Sequence, residues 1–272
     1  MQYFETIETK AIQGQTFAFL LVEEADHVLT VTLNRAEKRN AIHPQMTNEL
    51  AYTFQYAHSN KDIWMILIQA KGPVFCAGAD LKAFSGTVEP HASTIPQAKG
   101  EVLIGELFNK VFKPTIAKIT GDVYAGGFFF LAGASIVIAQ NDIKFGLPEV
   151  KRGLYPFQVM ASLLQVMPAR KVIDWCIRGY QLPVAEAEQY GLVTQVVPAE
   201  EMDQAIQQVI KELKQNSPSA IRLGLMAYDH IQPKEATHQY LMGMLMKTIQ
   251  SKDGREGLKA FREKRIPVWT GE

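Results

Sequence analysis

Cysteine is scarce in this chain. Cys76 and Cys176 are the only two, too few for a disulfide framework and without metal-ligand spacing, which points to a reducing, cytoplasmic setting. An excess of charge of either sign is also missing. Lys plus Arg number 28 and Asp plus Glu number 28, so no general affinity for nucleic acid or an acidic membrane is expected, and any anion site is local. Residues 1–10 carry Glu5 and Glu8 and no apolar centre, and do not read as a secretory signal. The longest apolar run, residues 125–139, is interrupted by Gly126, Gly127, Gly133 and Ser135. It falls short of the about 20 residues of a membrane span and reads as buried core of a soluble protein. Several signatures are absent too: G-x-G-x-x-G after a strand, a Walker lysine, H-E-x-x-H and G-x-S-x-G. The six histidines are scattered. Dinucleotide, nucleotide, zinc and serine-hydrolase chemistries each need something that is not here, and no metal or cofactor is expected.

What is present is an ordinary globular balance, 47% hydrophobic and 21% charged over 272 residues, enough for one large α/β domain or a domain with an appendage. Residues 16–23 and 27–33 are apolar, β-branched stretches around Glu24-Ala25-Asp26 and predict a hairpin. Residues 44–58 have helical spacing, with Met46, Leu50, Phe54 and Ala57 on one face and Pro44 in the first turn. Residues 63–70 are continuously apolar and predict a buried strand. A helix over 97–112, a strand over 115–120 and a strand over 135–140 follow. This alternation implies parallel strands with crossover helices. Beyond 156 helices dominate, apart from a short strand at 193–197. Residues 202–261 read as helix broken at Asn216-Ser217-Pro218 and at Gln232-Pro233. The expected division is an α/β core over 1–200 and a helical region over 201–272.

Two glycine-containing junctions between strand and helix remain. One is Phe75-Cys76-Ala77-Gly78-Ala79-Asp80-Leu81, in which Asp80 is placed to cap a following turn. The other is Gly121-Asp122-Val123-Tyr124-Ala125-Gly126-Gly127, leading into an apolar helix. Either alone is an ordinary tight turn. Facing one another, their free N–H groups would make an oxyanion hole.

With these junctions in this order, the chain resembles the crotonase, or enoyl-CoA hydratase/isomerase, superfamily over nearly its whole length. The matching segments are Leu33-Asn34-Arg35-Ala36-Glu37-Lys38-Arg39-Asn40-Ala41, residues 75–81, residues 121–127, Phe145-Gly146-Leu147-Pro148-Glu149, Gly191-Leu192-Val193 and residues 257–267. The resemblance implies an α/β fold, a spiral core of ββα units with a C-terminal helical trimerisation region. It implies an acyl-CoA thioester substrate, with coenzyme A part of the substrate rather than a cofactor, and a homotrimer or homohexamer. Ala79 and Gly126 would hold the thioester oxygen through their N–H groups. Ala77, Lys38, Arg39 and Lys82 would lie along the coenzyme A path. Phe261 would cover the adenine and Lys264 would meet a phosphate, with the C-terminal helix completing a neighbouring subunit's site. Tyr124, Phe129 and Tyr155 would line the acyl pocket, with a hydrogen bond offered by either tyrosine.

The catalytic carboxylates depart from the pattern. Hydratases of this family place one glutamate three residues after the oxyanion glycine and a second in F-G-x-P-E. Here the first position is Phe129 and the second is Glu149. Adding water across a double bond is work usually shared by two carboxylates, whereas moving the bond needs one base. A dry wall of Phe128, Phe129 and Phe130 would protect a dienolate from water. The expectation is therefore isomerisation of a 3-enoyl to a 2-enoyl thioester with Glu149 as acid/base. Its rivals are a hydratase using Glu149 alone or borrowing Asp122, Glu101 or Glu106, a decarboxylase, and a non-catalytic acyl-CoA-binding protein.

Overall fold

The computed structural model describes residues 3–5, 8, 9, 11–84, 90–231 and 236–270, and the side chains of all of these but 84, 231 and 236–239. β1 (Leu20–Ala25) and β2 (Val28–Leu33) form the expected hairpin. It turns at Asp26 and His27, whose φ of 48° and 65° are the left-handed pair whose twist suits a two-residue hairpin loop. α1 (Pro44–Ser59) begins at its proline and buries Met46, Leu50, Phe54 and Ala57 as the spacing predicts.

The chain then repeats a unit: a strand of one sheet, a strand of a second sheet, then helix. β3 (Met65–Ala70), β4 (Val74–Cys76), α2 (Leu81–Phe84) and α3 (Ile104–Val111) make one turn of this spiral. β5 (Thr115–Ile119), β6 (Asp122–Tyr124) and α4 (Phe128–Gly133) make the next, and β7 (Ile136–Gln140), β8 (Phe145–Gly146) and α5 (Phe157–Leu163) another. α6 (Ala169–Arg178), β9 (Gln181–Leu182), α7 (Val184–Gln189) and β10 (Gln195–Val197) complete both sheets. The larger sheet has the order β1-β2-β3-β5-β7-β10 and the smaller β4-β6-β8-β9. All pairings are parallel except β1 with β2 and β8 with β9. This is the ββα spiral that the resemblance implies.

Local sequence reading misses two features. α3 starts at Ile104 rather than 97, because Gly100 adopts φ 84° and the preceding backbone is satisfied in extended form. Asn48 of α1 accepts from the Ala98 N–H at 2.7 Å and donates to the Pro96 carbonyl at 2.8 Å, while the Lys99 N–H bonds to the Tyr3 carbonyl. The smaller sheet is also invisible to periodicity, since its strands are two or three residues long.

α8 (Met202–Lys214) lays Met202, Ile206 and Ile210 on Val28, Met65, Leu67, Ile116, Ile138 and Val197 of the larger sheet. It ends before the expected break at Ser217, and α9 (Pro218–Ile231) follows. The break expected at Gln232-Pro233 lies outside the described residues. α10 (Ala236–Gln250) packs on α5, and α11 (Lys252–Glu263) on the turn Glu149–Arg152. Between them is a break the pattern does not announce: Ser251 caps α11 by accepting from the Gly254 N–H at 2.9 Å. No described helix is long and apolar enough to cross a membrane.

Candidate active site

β4, β6 and β8 are parallel neighbours, so the loops that follow them leave from one edge. That edge, at the carboxyl ends of parallel strands, is where such sheets hold ligands. The three loops carry Ala79, Gly126 and Glu149 in turn.

The first loop is pinned on one side. The Ala77 N–H donates to the Arg39 carbonyl at 3.0 Å, the Ile42 N–H to the Gly78 carbonyl at 2.8 Å, and the Asp80 N–H to the Ile42 carbonyl at 2.9 Å. Residues 78 and 80 thus bond to Ile42 on either side of a parallel bridge between Ile42 and Ala79. By the alternation of an extended chain, the N–H of Ala79 points the other way. Gly78 permits this path with φ 90°, a conformation that costs other residues dearly. The second loop runs from Tyr124 through Ala125, itself at φ 51°, into the single 3-10 turn Ala125–Gly127 that opens α4. The Gly126 N–H sits at the start of this turn and has no acceptor within it. A methyl group added to Gly126 would lie 3.7 Å from the Ala79 nitrogen, and one added to Gly78 would lie 3.2 Å from the Gly126 nitrogen. The two junctions are in contact, and their donors share one small space.

Buried side chains brace this pair. Arg35, 1% exposed, donates from Nη1 to Asp80 Oδ2 at 2.8 Å and to the Ala41 carbonyl at 3.2 Å. Asn40 accepts from the Arg35 N–H and donates to the Lys71 and Val74 carbonyls, each at 2.8 Å. Asp80 caps α2 through the N–H groups of Lys82 and Ala83. Burial pushes its carboxyl up, yet the Arg35 guanidinium and these N–H groups outweigh burial and hold it below the usual range. Much of the 33–41 segment is therefore scaffold. Lys38, Arg39 and Lys82 are exposed along the rim, and the Arg39 carbonyl, accepting from the Ala77 N–H, sets Arg39 beside the first glycine loop.

Glu149 opens the 3-10 turn Glu149–Arg152. Its Oε2 is buried with no hydrogen-bond partner. Burial raises the carboxyl to about 7, against the smaller opposing effects of its own N–H and the Arg152 cation. A carboxyl raised in this way is suited to proton transfer near neutral pH. Behind it stand the Cys176 thiol of α6, pushed up to about 12 chiefly by burial and secondarily by Glu149, and the Tyr155 hydroxyl that meets this thiol.

The aromatic residues sort differently from expectation. Phe129 is half-buried with its ring edge 3.5 Å from where a Gly126 methyl would stand. Phe128 and Phe130 do not join it in a wall: both are wholly buried, Phe128 against Phe145 and Trp175 and Phe130 against Phe75 and Phe108. A helix turns about 100° per residue, so three successive side chains cannot share a face. Tyr124 has no hydroxyl to offer a substrate, because it donates to Asp122 Oδ2 at 2.9 Å. Asp122 also accepts from the Lys144 N–H at 2.8 Å and is thereby part of the scaffold. Tyr155 is directed to Cys176 and Met160. Glu101 and Glu106 are exposed, and Glu106 acts on Tyr3 of the N-terminal segment. Phe261 is half-exposed with the Arg152 guanidinium 4.3 Å from its ring centroid, and Lys264 is exposed just past α11. Two residues at this edge escape a reading of motifs, Ile42 and Arg152. Ile42 acts through its backbone, which leaves no composition signal; Arg152 stands one 3-10 turn beyond Glu149, a spacing that could have drawn notice. Among the described residues no three His, Cys, Asp or Glu side chains gather as metal ligands would.

Comparison with known proteins agrees with this fold. The family model "Enoyl-CoA hydratase/isomerase" matches residues 23–272. The enoyl-CoA hydratase EchA19 of Mycobacterium tuberculosis is 31% identical over 91% of this chain and 94% of its own. A mevalonyl-coenzyme A hydratase of Aspergillus fumigatus is 29% identical over 89% of this chain and 91% of its own. Among solved structures, carnitinyl-CoA hydratase from Mycobacterium avium superposes with a TM-score of 0.80 at 25% identity, covering 94% of this chain and all of that one. With its ββα spiral and a family match over residues 23–272, the chain belongs to the enoyl-CoA hydratase/isomerase family, the crotonase-fold enzymes of acyl-CoA thioesters.

Proposed function

We propose that this protein moves the double bond of a 3-enoyl-CoA to the 2-position, with Glu149 as the single acid/base. Glu149 takes a proton from C2, and charge passes through the dienolate to the thioester oxygen. The N–H groups of Ala79 and Gly126 stabilise that oxygen without reorganising, a contribution of about 3–4 kcal/mol per donor in comparable sites. The carboxyl then returns the proton to C4. The observation that carries this reading is the ring of Phe129 beside Gly126, where hydratases of the family place a second glutamate. The nearby carboxylates Asp80 and Asp122 are tied to Arg35 and to Tyr124 and Lys144. Without a second carboxylate to activate water, bond migration is favoured over hydration.

The relatives named as hydratases favour a second reading, hydration of a 2-enoyl-CoA by Glu149 alone. Lys38, Arg39 and Lys82 along the rim suit the phosphates of coenzyme A. The apolar Leu223, Met226, Tyr240 and Met246, exposed on α9 and α10 of the single chain, support assembly as a trimer or a dimer of trimers. Incubation with 2-enoyl- and 3-enoyl-CoA in deuterated water separates the readings. Deuterium wash-in with bond migration is expected, and a 3-hydroxyacyl product without migration would replace isomerisation by hydration.

A further inference from the structure

The C-terminal helix reaches the catalytic turn of its own chain by backbone contact. Gly257 of α11 lies against Arg152 so closely that a methyl group there would stand 2.2 Å from the Arg152 carbonyl oxygen. Gly153, at φ 71°, approaches the Asp253 carbonyl in the same way, its missing methyl 2.3 Å from that oxygen. No side chain separates the helix from the turn, so the register of one against the other is fixed. One helical turn beyond Gly257, on the same face, Phe261 places its ring 4.3 Å from the Arg152 guanidinium. That is a cation–π distance, and the planar guanidinium suits a ring face as an ammonium does not.

The turn that carries Arg152 has three residues per revolution, so side chains at i and i+3 eclipse one another. Glu149 and Arg152 are such a pair. Among the described residues no carboxylate lies within ion-pair distance of Arg152. Its cation is held instead by an aromatic face, near enough to act on Glu149 without bonding to it. We propose that Arg152 is a positioning residue for Glu149, kept beside it by Phe261, so that the seating of α11 sets how readily the carboxylate gives and takes its proton. The proposal rests on the reading of Glu149 as the acid/base.

The other groups around Glu149 do not compete for this role. From α6 the Cys176 thiol is neutral across the working range, being pushed up to about 12, and Tyr155 is likewise raised by burial and by Cys176. Lys151 of the same turn is exposed. On α11, Glu256 pairs with Arg265 at 2.9 Å, Asp253 accepts from the Thr270 N–H at 2.6 Å, and Arg262 Nε donates to the Leu258 carbonyl. Lys259 of α11 acts on Glu256. Arg152 is thus the cation through which α11 acts on Glu149. Removing it leaves burial less opposed, and the carboxyl rises further.

The test reads Glu149 directly. Carboxyl-carbon NMR of protein labelled at glutamate, with the Glu149 signal assigned from Glu149→Gln, gives its titration midpoint without substrate. Arg152→Gln is expected to raise the midpoint by about one unit. Phe261→Leu, which leaves the guanidinium without its aromatic face, is expected to raise it by less. Arg152→Lys is expected to fall between the wild type and Arg152→Gln. The acid limb of kcat/KM for bond migration should shift by the same amounts, with about a tenfold loss at pH 6 in Arg152→Gln and a plateau at pH 9 close to wild type. An unmoved midpoint in folded Arg152→Gln, or in Phe261→Leu should the first fail to fold, overturns the proposal. Full turnover in Glu149→Gln would instead overturn the reading of Glu149 as the acid/base, while the midpoints still report whether Arg152 and Phe261 act on it.

Discussion

The oxyanion junctions and the glutamate turn lie at one sheet edge and are built on opposite plans. In the proposed mechanism the working groups at Ala79 and Gly126 are main-chain N–H donors. Their directions follow from the hydrogen bonds of residues 78 and 80 to Ile42 and from the helical turn at Ala125–Gly127, with Arg35, Asn40 and Asp80 bracing the first loop. No titration can switch them off near neutral pH. At Glu149 the working group is a side chain whose properties come from what surrounds it: burial, a nearby guanidinium and a neutral thiol. The first half is fixed by geometry and the second tuned by environment. Breaking the first should therefore be independent of pH, and altering the second should show itself chiefly in pH dependence.

The largest expected effect removes the tuned group. Glu149→Gln should lower turnover by about 10³-fold or more, towards the upper part of the range for a lost acid/base, while calorimetry finds the Kd for a saturated acyl-CoA within a few fold of wild type. Full activity would take Glu149 out of the chemistry. Next is Gly78→Ala, which forces a side chain into a left-handed position with its methyl 2.6 Å from Ala125 Cβ. A loss of about 10²-fold in kcat at every pH is expected, as for one displaced oxyanion donor, together with a lower Tm. A loss confined to low pH would contradict the geometric plan.

The pH dependence of stability gives a smaller effect of definite sign. Glu149 has a folded value near 7 against an ordinary 4.5, so the fold favours its neutral form. Its stabilising contribution is complete below about pH 4.5 and is lost as pH rises through 7. Gln is neutral throughout, so Glu149→Gln should match wild type at pH 4.5 and exceed it at pH 8 by at most about 3 kcal/mol, read as Tm. Equal stabilities at both pH values would mean that burial does not govern this carboxyl. The smallest expected effect is a gain. Phe129→Glu, placing a carboxylate beside Gly126, should yield a trace of 3-hydroxyacyl product from 2-enoyl-CoA while slowing bond migration. Undiminished migration without hydration would show that Phe129 does not choose the reaction.

The larger sheet was legible because residues 28–33 and 63–70 are apolar runs long enough to show their period, and α1 because Pro44 and its apolar stripe agree. β4, β6, β8 and β9 were not legible locally, since two or three residues carry no period. Their presence followed only from resemblance to the crotonase pattern. The helix over 97–112 was overextended because the polar side chain of Asn48, distant in sequence, satisfies residues 96–98 in extended form. The wall of three phenylalanines failed on simple helical rotation, and the hydroxyl of Tyr124 was already engaged by Asp122.

By itself the sequence determined the family, the spiral of ββα units and the two glycine junctions, because each of these is written in contiguous residues. It also determined that phenylalanine stands at position 129, where hydratases of the family it resembles place a glutamate. Only the tertiary structure decided that the Ala79 N–H points away from Ile42, that Gly126 lies close to Ala79, and that Glu149 buries a carboxylate oxygen in a turn packed on the C-terminal helix. Those facts depend on backbone direction and on burial by residues far apart in the chain. A sequence records neither quantity until the chain has folded.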